Sequence, residues 1–300
     1  MERTMTLRRR KVIEALIGYA FIAPTMLGFI VFLAIPMLVG ISLMFFNWSM
    51  FKPPEFVGLE NIQAFLQDPR VLTVYKTTFG MAFGLIISNL TLGLGIALLL
   101  NAKMPGVLSG FFRAAYFFPT VVSTVVVAVI WQFLLNKDLG LVNYYLGLLG
   151  VDRINWLLSS TWSPIAVIIT DTWKNVGFYA LIFLGGLKNI PRDYYEAAEV
   201  DGATTLHKFR YITMPLLTPT MLFLIITSTI GAMQIFGQSF ILTGGGPGDA
   251  TRTIVMYIYE SGIRSFRVGY GAVLSVSLLL VIVGMTTLQF ILSRRYIHYQ

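Results

Sequence analysis

Five stretches of this chain carry no charged residue: 15–51, 77–102, 114–136, 211–248 and 268–293. A sixth, 163–186, is interrupted only by Asp171 and Lys174. Crossing a hydrocarbon core of roughly 30 Å takes about 20 helical residues, so each stretch suffices for one passage. Lipid offers no partner to backbone polar groups, which excludes open sheets, and the runs are too long for barrel strands. The pattern predicts an all-α membrane protein with six transmembrane helices, near 15–46, 74–101, 113–135, 163–186, 217–242 and 267–292. The two longest runs lack a polar turn near the middle, so their excess is assigned to re-entrant or interfacial structure. Composition agrees: charged residues are 12% of the chain, against roughly 25% in soluble domains, too few to cover a soluble surface.

The formal charge of +8 does not indicate nucleic acid, because the basic residues are scattered over short connections and form no basic face. Cysteine is absent and only His207 and His298 are present, so thiolate chemistry is excluded and no metal site is expected. Arg8-Arg9-Arg10-Lys11 resembles a signal-peptide start, but the apolar run continues too far and lacks a small-residue cleavage site. It is read as a retained first span. With six spans, thirteen basic residues fall on the side of the termini and eight on the other, which predicts N-in and C-in. The chain then divides into a cytoplasmic segment 1–14, a membrane domain 15–293 with a cytoplasmic connection at 187–216, and a tail 294–300.

Pro24 and Pro36 predict a kinked first helix, and Gly84, Gly93 and Gly95 predict close approach of another helix to the second span. Residues 139–149 read as a short interfacial helix, with Trp156 and Trp162 where an aromatic belt belongs. The 187–216 connection is the most polar on its side. Pro191 suits a first helical turn, Asp193, Glu196 and Glu199 favour the N-terminal half of that helix, and Gly202 can end it with a positive φ. Thr204 or Thr205 then caps a second short helix through Phe209. From the residues alone this element is either an amphipathic connector on lipid or a docking site for a peripheral partner.

Glu196-Ala197-Ala198, three residues, Gly202-Ala203, eight residues and Ile212-x-x-Pro215 resemble the cytoplasmic EAA loop of ABC-importer permease subunits. Leu187, Ile190-Pro191, Tyr195, Asp201 and Phe209 resemble its carbohydrate-permease version, with Met214 where Leu is more frequent. Leu242-Thr243-Gly244-Gly245-Gly246-Pro247, with Thr251, Tyr259, Phe266 and Gly269-Tyr270, is similar to the subgroup of maltose, lactose and glycerol-phosphate permeases. Gly237 departs from it, standing where many relatives carry Asp. The resemblance covers roughly residues 12–295.

It implies the permease subunit of an ATP-driven, binding-protein-dependent importer of a sugar, oligosaccharide or sugar-like polyol derivative. Its expected setting is a bacterial or archaeal cell membrane, the inner one where there are two. Implied partners are a second, distinct permease, two cytoplasmic ATPase subunits that bind ATP and Mg, an extracytoplasmic solute-binding protein and membrane lipid. Glu196, Ala197, Ala198, Asp201, Gly202, Ala203 and Phe209 would form the ATPase-coupling surface. The chain has no G-x-x-x-x-G-K-[ST], so it is read as non-catalytic, with Gly244–Gly246 a flexible bend.

Within the spans, Asp171 and Lys174 share a helix face and are either a structural charge pair or, with Asn175, the lining of a polar cavity. The fifth span offers Thr227, Ser228, Thr229, Gln234, Gln238 and Ser239, with Phe236 nearby. Amides can address neighbouring sugar hydroxyls and an aromatic plane the apolar ring face, so Gln234, Gln238, Phe236, Thr229, Asn175 and Asn89 are the candidate substrate path. Gln132 is a weaker candidate. Against the importer stand a secondary carrier, which would need no ATPase, and a membrane scaffold that docks a cytoplasmic protein.

Overall fold

A computed structural model describes residues 6–102 and 104–294, and their side chains from residue 11 onward. The expectations for residues 1–5, Lys103 and the tail 295–300 lie outside the described residues. Most of the rest is helical. α1 (Thr6–Phe29) continues through a π turn (Ile30–Ala34) into α2 (Ile35–Ser42), and a short hairpin, β1 (Phe46–Asn47) with β2 (Glu55–Phe56), precedes α3 (Glu60–Gln67). There follow α4 (Pro69–Asn101), α5 (Gly106–Val121), α6 (Thr124–Leu134), α7 (Leu141–Leu148), α8 (Trp162–Lys188) and α9 (Arg192–Val200). α10 (Thr205–Lys208), a π turn (Phe209–Thr213), α11 (Met214–Leu216), α12 (Thr218–Met233), α13 (Gly237–Thr243), α14 (Ile254–Ile258) and α15 (Val268–Ser293) complete the chain.

Four segments are long and apolar enough to cross a bilayer unbroken: Lys11–Phe45, α4, α8 and α15. Two bent pairs, α5 with α6 at 98° and Thr205–Leu216 with α12 at 64°, bring the number to six when each counts as one span. The straight helices expected at 113–135 and 217–242 are therefore corrected. Pro119 has no N–H to donate within its helix, and the chain turns extended at Val122 and Ser123. The other helix ends at Met233 and restarts at Gly237.

The π turns at Ile30–Ala34 and Phe209–Thr213 have one cause. Ile35 N–H reaches back five residues to Ile30, just before Pro36, and Met214 N–H reaches Phe209 just before Pro215. A wider turn accommodates the proline ring that an α-turn would drive into the preceding carbonyl. Pro24, by contrast, sits inside an unbroken α1, so only Pro36 perturbs the helical ladder.

The chain separates into two compact units. The first holds residues up to Gln67 together with Ser261–Val276. Its long apolar helix is exposed throughout, a surface suited to lipid or another chain. Asn61 ties the hairpin down, donating from Nδ2 to the carbonyls of Met44 and Phe46, both at 3.0 Å. The start of α15 is held by Val268 N–H on the Trp48 carbonyl at 3.1 Å.

The second unit, Asp68–Glu260 with the rest of the chain from Ser277, is built around α8, against which α4, α5, α6, α12 and α13 pack. Gly84 and Gly93 let α4 approach Ile168 and Tyr179 closely, whereas Gly95 faces open space. Phe183, Leu184, Leu187, Leu217 and Leu224 form the main apolar core. Within this unit the closest glycine contact is at Gly177 on α8, where a Cβ would collide with the carbonyl of Tyr116 on α5. Gly177→Val should therefore wedge the two helices apart and cost about 1–3 kcal/mol. Thermal unfolding of the purified chain in detergent checks this, with Gly95→Ala as the neutral control.

Trp156 does not join an aromatic belt. It is 7% exposed, packs on Leu135 and Ala166, and donates from Nε1 to Asn143 Oδ1 at 3.1 Å. Asn143, on the expected short helix, also donates to the carbonyls of Lys137 and Ile154, so it organises this corner.

The glycine-rich segment after α13 is an anchored loop. Gly244, Gly245 and Gly248 have φ of 60°, 87° and 57°, where a side chain would be strained. Arg70 holds Asp249 bidentately at 3.1 and 3.2 Å, and Thr251 Oγ1 donates to the Gly246 carbonyl at 3.1 Å. The hydrogen bond from Arg70, aided by the charge of Arg252, holds the Asp249 carboxyl below the usual carboxylate range, partly offset by burial. A folded pKa below the unfolded value of about 3.9 contributes stability that is full above that value and is lost as pH falls through the folded pKa. Acid titration of the Tm should show this loss below about pH 4, and Asp249→Asn should flatten that limb.

Candidate functional site

A cavity of about 460 Å³ opens in the second unit where α12 breaks. Its walls come from α4 (Leu85, Asn89), the α5–α6 corner (Thr120, Thr124), the middle of α8 (Asp171 to Tyr179) and the chain from Ser228 to Gln238. Breaking a helix at membrane depth frees backbone groups, a situation tolerated where protein or a cavity receives them. Here Thr253 Oγ1 donates to the Ile235 carbonyl at 2.8 Å, and Gly237 lies against the methyl of Thr124 with no room for a Cβ.

Asp171 and Lys174 both line the cavity, but they do not form an ion pair with each other. The Asp171 carboxylate accepts from Gln238 Nε2 at 2.7 Å and from Asn175 Nδ2 at 3.1 Å. Lys174, 8% exposed, donates from Nζ to the Thr120 carbonyl at 3.2 Å, while Thr120 Oγ1 donates to the Lys174 carbonyl at 3.0 Å. A cation suits the negative end of α5, whose last carbonyls are left open where the chain turns extended at Val122.

Asn89, Asn175, Gln234, Phe236 and Gln238 all reach this cavity. Gln234 and Gln238 do so without sharing a helix face: Gln234 caps the end of α12 and Gln238 lies in the first turn of α13, so helical spacing does not relate them. Thr229 is not part of the lining. It is fully buried, donating to the Ile225 carbonyl at 2.8 Å and accepting from Gln289 Nε2 at 2.8 Å. Gln132 borders a separate hollow and donates to the Ile241 carbonyl at 3.3 Å. Thr120, Thr124, Phe178 and Tyr179 escaped the sequence reading. Pro119 in mid-span was the signal for the first two, and the position of Phe178 and Tyr179 one turn beyond Asn175 was the signal for the others.

Phe236 forms an aromatic cluster with Phe240 at 5.1 Å and Tyr259 at 5.4 Å between ring centroids. The lining thus joins amides and hydroxyls to aromatic faces. It is suited to recognising a polyhydroxylated solute.

The second candidate surface is the connection between α8 and α12. Gly202 has φ +74° and closes a Schellman end to α9: Ala203 N–H donates to Ala198 O at 2.8 Å and Gly202 N–H to Glu199 O at 3.0 Å. Thr204 caps α10 on His207 N–H, as one of the two threonines was expected to. The helix beyond runs on through Leu216, further than the expected end at Phe209. Lys208 Nζ bridges to Glu199 at 2.6 Å and Tyr195 OH pairs with Thr213 Oγ1 at 2.9 Å, bracing α9 against α10. No residue of α9 is buried, Glu196 and Ala197 are exposed, and Val200 is 89% exposed with Leu206 and Tyr211 also bare. Ala198, Ala203 and Phe209 are half-buried, and Asp201 is exposed at the end of α9.

The family model described as "Binding-protein-dependent transport system inner membrane component" matches residues 89–298. The chain is 36% identical over 248 residues to the trehalose/maltose transport system permease protein MalF of Thermococcus litoralis, covering 82% of this chain and 83% of that one. It is 32% identical to the arabinooligosaccharides transport system permease protein AraP of Bacillus subtilis over 92% of this chain and 88% of that one. It is 34% identical to the probable ABC transporter permease protein YesP of Bacillus subtilis over 100% and 96%. In fold it is similar to a chain of a bacterial ABC transporter that imports the acidic polysaccharide alginate, with a TM-score of 0.83, 24% identity and coverage of 95% and 98%. With a match over more than half its length and relatives aligned nearly end to end, the chain belongs to the family of binding-protein-dependent transport system inner membrane components.

Proposed function

We propose that this chain is one of two permease subunits of an ATP-driven importer of a sugar or oligosaccharide, and that the cavity at the α12–α13 break forms its share of the path. The observation that carries the reading is this break, which exposes amides and an aromatic ring at membrane depth in place of continuous helix. The relatives named for trehalose, maltose and arabinooligosaccharides support the solute class.

In this reading the second wall comes from another permease chain, and a solute-binding protein delivers sugar on the far side. Two ATPase subunits, holding ATP and Mg, seat the exposed α9–α10 element with Glu196 at the contact. The 187–216 connection, the residues before the first span and the tail are then cytoplasmic, in keeping with the excess of basic residues on that side.

Affinity purification of the chain with its native partners, reconstitution in lipid and uptake of labelled maltose, trehalose and arabinotriose test this. ATP-dependent uptake of at least one sugar, requiring the binding protein, is expected. Uptake by the chain alone without ATP hydrolysis would overturn it in favour of a secondary carrier. Single cysteines at Leu206 and Pro247 add the orientation: an impermeant thiol reagent should label only Pro247→Cys in intact cells.

A further inference from the structure

We propose that Asp171 is a positioning residue that orients the cavity amides and thereby makes the path selective for neutral over acidic sugars. The inference rests on the sugar reading above and adds the charge class of the solute.

An ionised carboxylate only accepts hydrogen bonds. Gln238 and Asn175 must therefore turn their NH₂ groups toward Asp171, as they do at 2.7 and 3.1 Å, since the flipped amides would oppose oxygen to oxygen. Each amide oxygen is thereby directed away from the carboxylate. A third oxygen, Asn89 Oδ1, belongs to a side chain 3% exposed, lines the same cavity and has no hydrogen-bond partner.

Asn175 and Gln238 thus turn two amide oxygens away from one negative charge, from elements far apart in sequence. Lys174 is the only cation in the lining, and its ammonium is already engaged by the Thr120 carbonyl. A sugar hydroxyl both donates and accepts, so it satisfies the amide oxygens. A uronate carboxylate can only accept. It would meet oxygens it cannot bond and the like charge of Asp171, a mismatch that excludes a solute as effectively as good contacts admit one.

The test uses the intact importer in lipid nanodiscs without its solute-binding protein, whose own selectivity would mask the cavity's. Binding is measured by equilibrium dialysis with two matched pairs of probes, glucose with glucuronate and maltotriose with maltotriose oxidised at C6. Neutral probes should bind at least tenfold more tightly. Asp171→Asn, which keeps an acceptor oxygen and removes the charge, should retain part of the preference. Asp171→Leu, which releases both amides, should bring each pair to parity. Equal or tighter binding of the uronates to the unaltered importer overturns this inference and leaves the sugar path intact. So does an unchanged ratio in an assembled Asp171→Leu complex. If no probe of either kind binds at millimolar concentration, the sugar reading of the cavity itself fails, and this inference with it.

Discussion

Gly202→Val is expected to abolish the response of ATP hydrolysis to sugar-loaded binding protein, with the membrane helices still assembled. The backbone at Gly202 is left-handed at φ +74°, and both hydrogen bonds of the Schellman end depend on that turn. A β-branched residue is a true outlier there. Even a simple Cβ costs about 1–2 kcal/mol in this region, so Gly202→Ala should keep partial coupling. Nothing lies within 4 Å of a Cβ placed at Gly202, so the effect is one of conformation and not of collision with the rest of the chain. Unable to close, α9 would lose its angle to α10, and the exposed Glu196 and Val200 would no longer be presented together. Glu196→Lys should break the same communication by charge reversal at an unaltered turn. The measurements are subunit stoichiometry, stimulated ATPase rate and uptake on one reconstituted preparation. A fall of at least tenfold in stimulation is expected for Gly202→Val. Wild-type values for both variants would remove this element from the coupling role.

Phe236→Ala should fail in the opposite manner, losing uptake while ATPase assembly and stimulation persist. Phe236 stands at the helix break with an irregular backbone, φ −138° and ψ −58°, stacks on Phe240 and lies tilted against Tyr259. An aromatic face lost from a sugar platform removes both apolar contact and shape, worth about 1–3 kcal/mol, or roughly a tenfold to hundredfold rise in KM for uptake. Phe236→Tyr should recover most of it. If the alanine variant keeps wild-type uptake, the ring serves packing alone and the path lies elsewhere.

These two regions were legible in the sequence to different degrees. The α9–α10 element could be read because its determinants are local: Pro191 at the start, Gly202 at the end and Thr204 at the next cap act within a few residues of one another. The cavity could be read as a set of residue types but not as a place. Its opening depends on Thr253 receiving the Ile235 carbonyl from 18 residues away and on Gln238 reaching Asp171 across 67. Likewise helical spacing puts Lys174 and Asp171 on one face and leaves open whether they pair or line a polar cavity. Thr120, 54 positions before Lys174, lies in the last turn of α5 just before the chain turns extended, and its open carbonyl takes the ammonium instead.

By itself the sequence determined that the chain is helical, that it lies in a membrane, where its six apolar segments fall and how its longest polar connection turns. Those properties follow from charge content, run length, proline and glycine, which act through solvent and local backbone. Only the tertiary structure decided which helices break, which glycines bear a neighbour and which amides face a common space. Each of those outcomes is settled by a group from a distant segment that satisfies a freed carbonyl, fills the room of a missing Cβ or turns an amide by accepting its proton, and no spacing within one helix records where that group will stand.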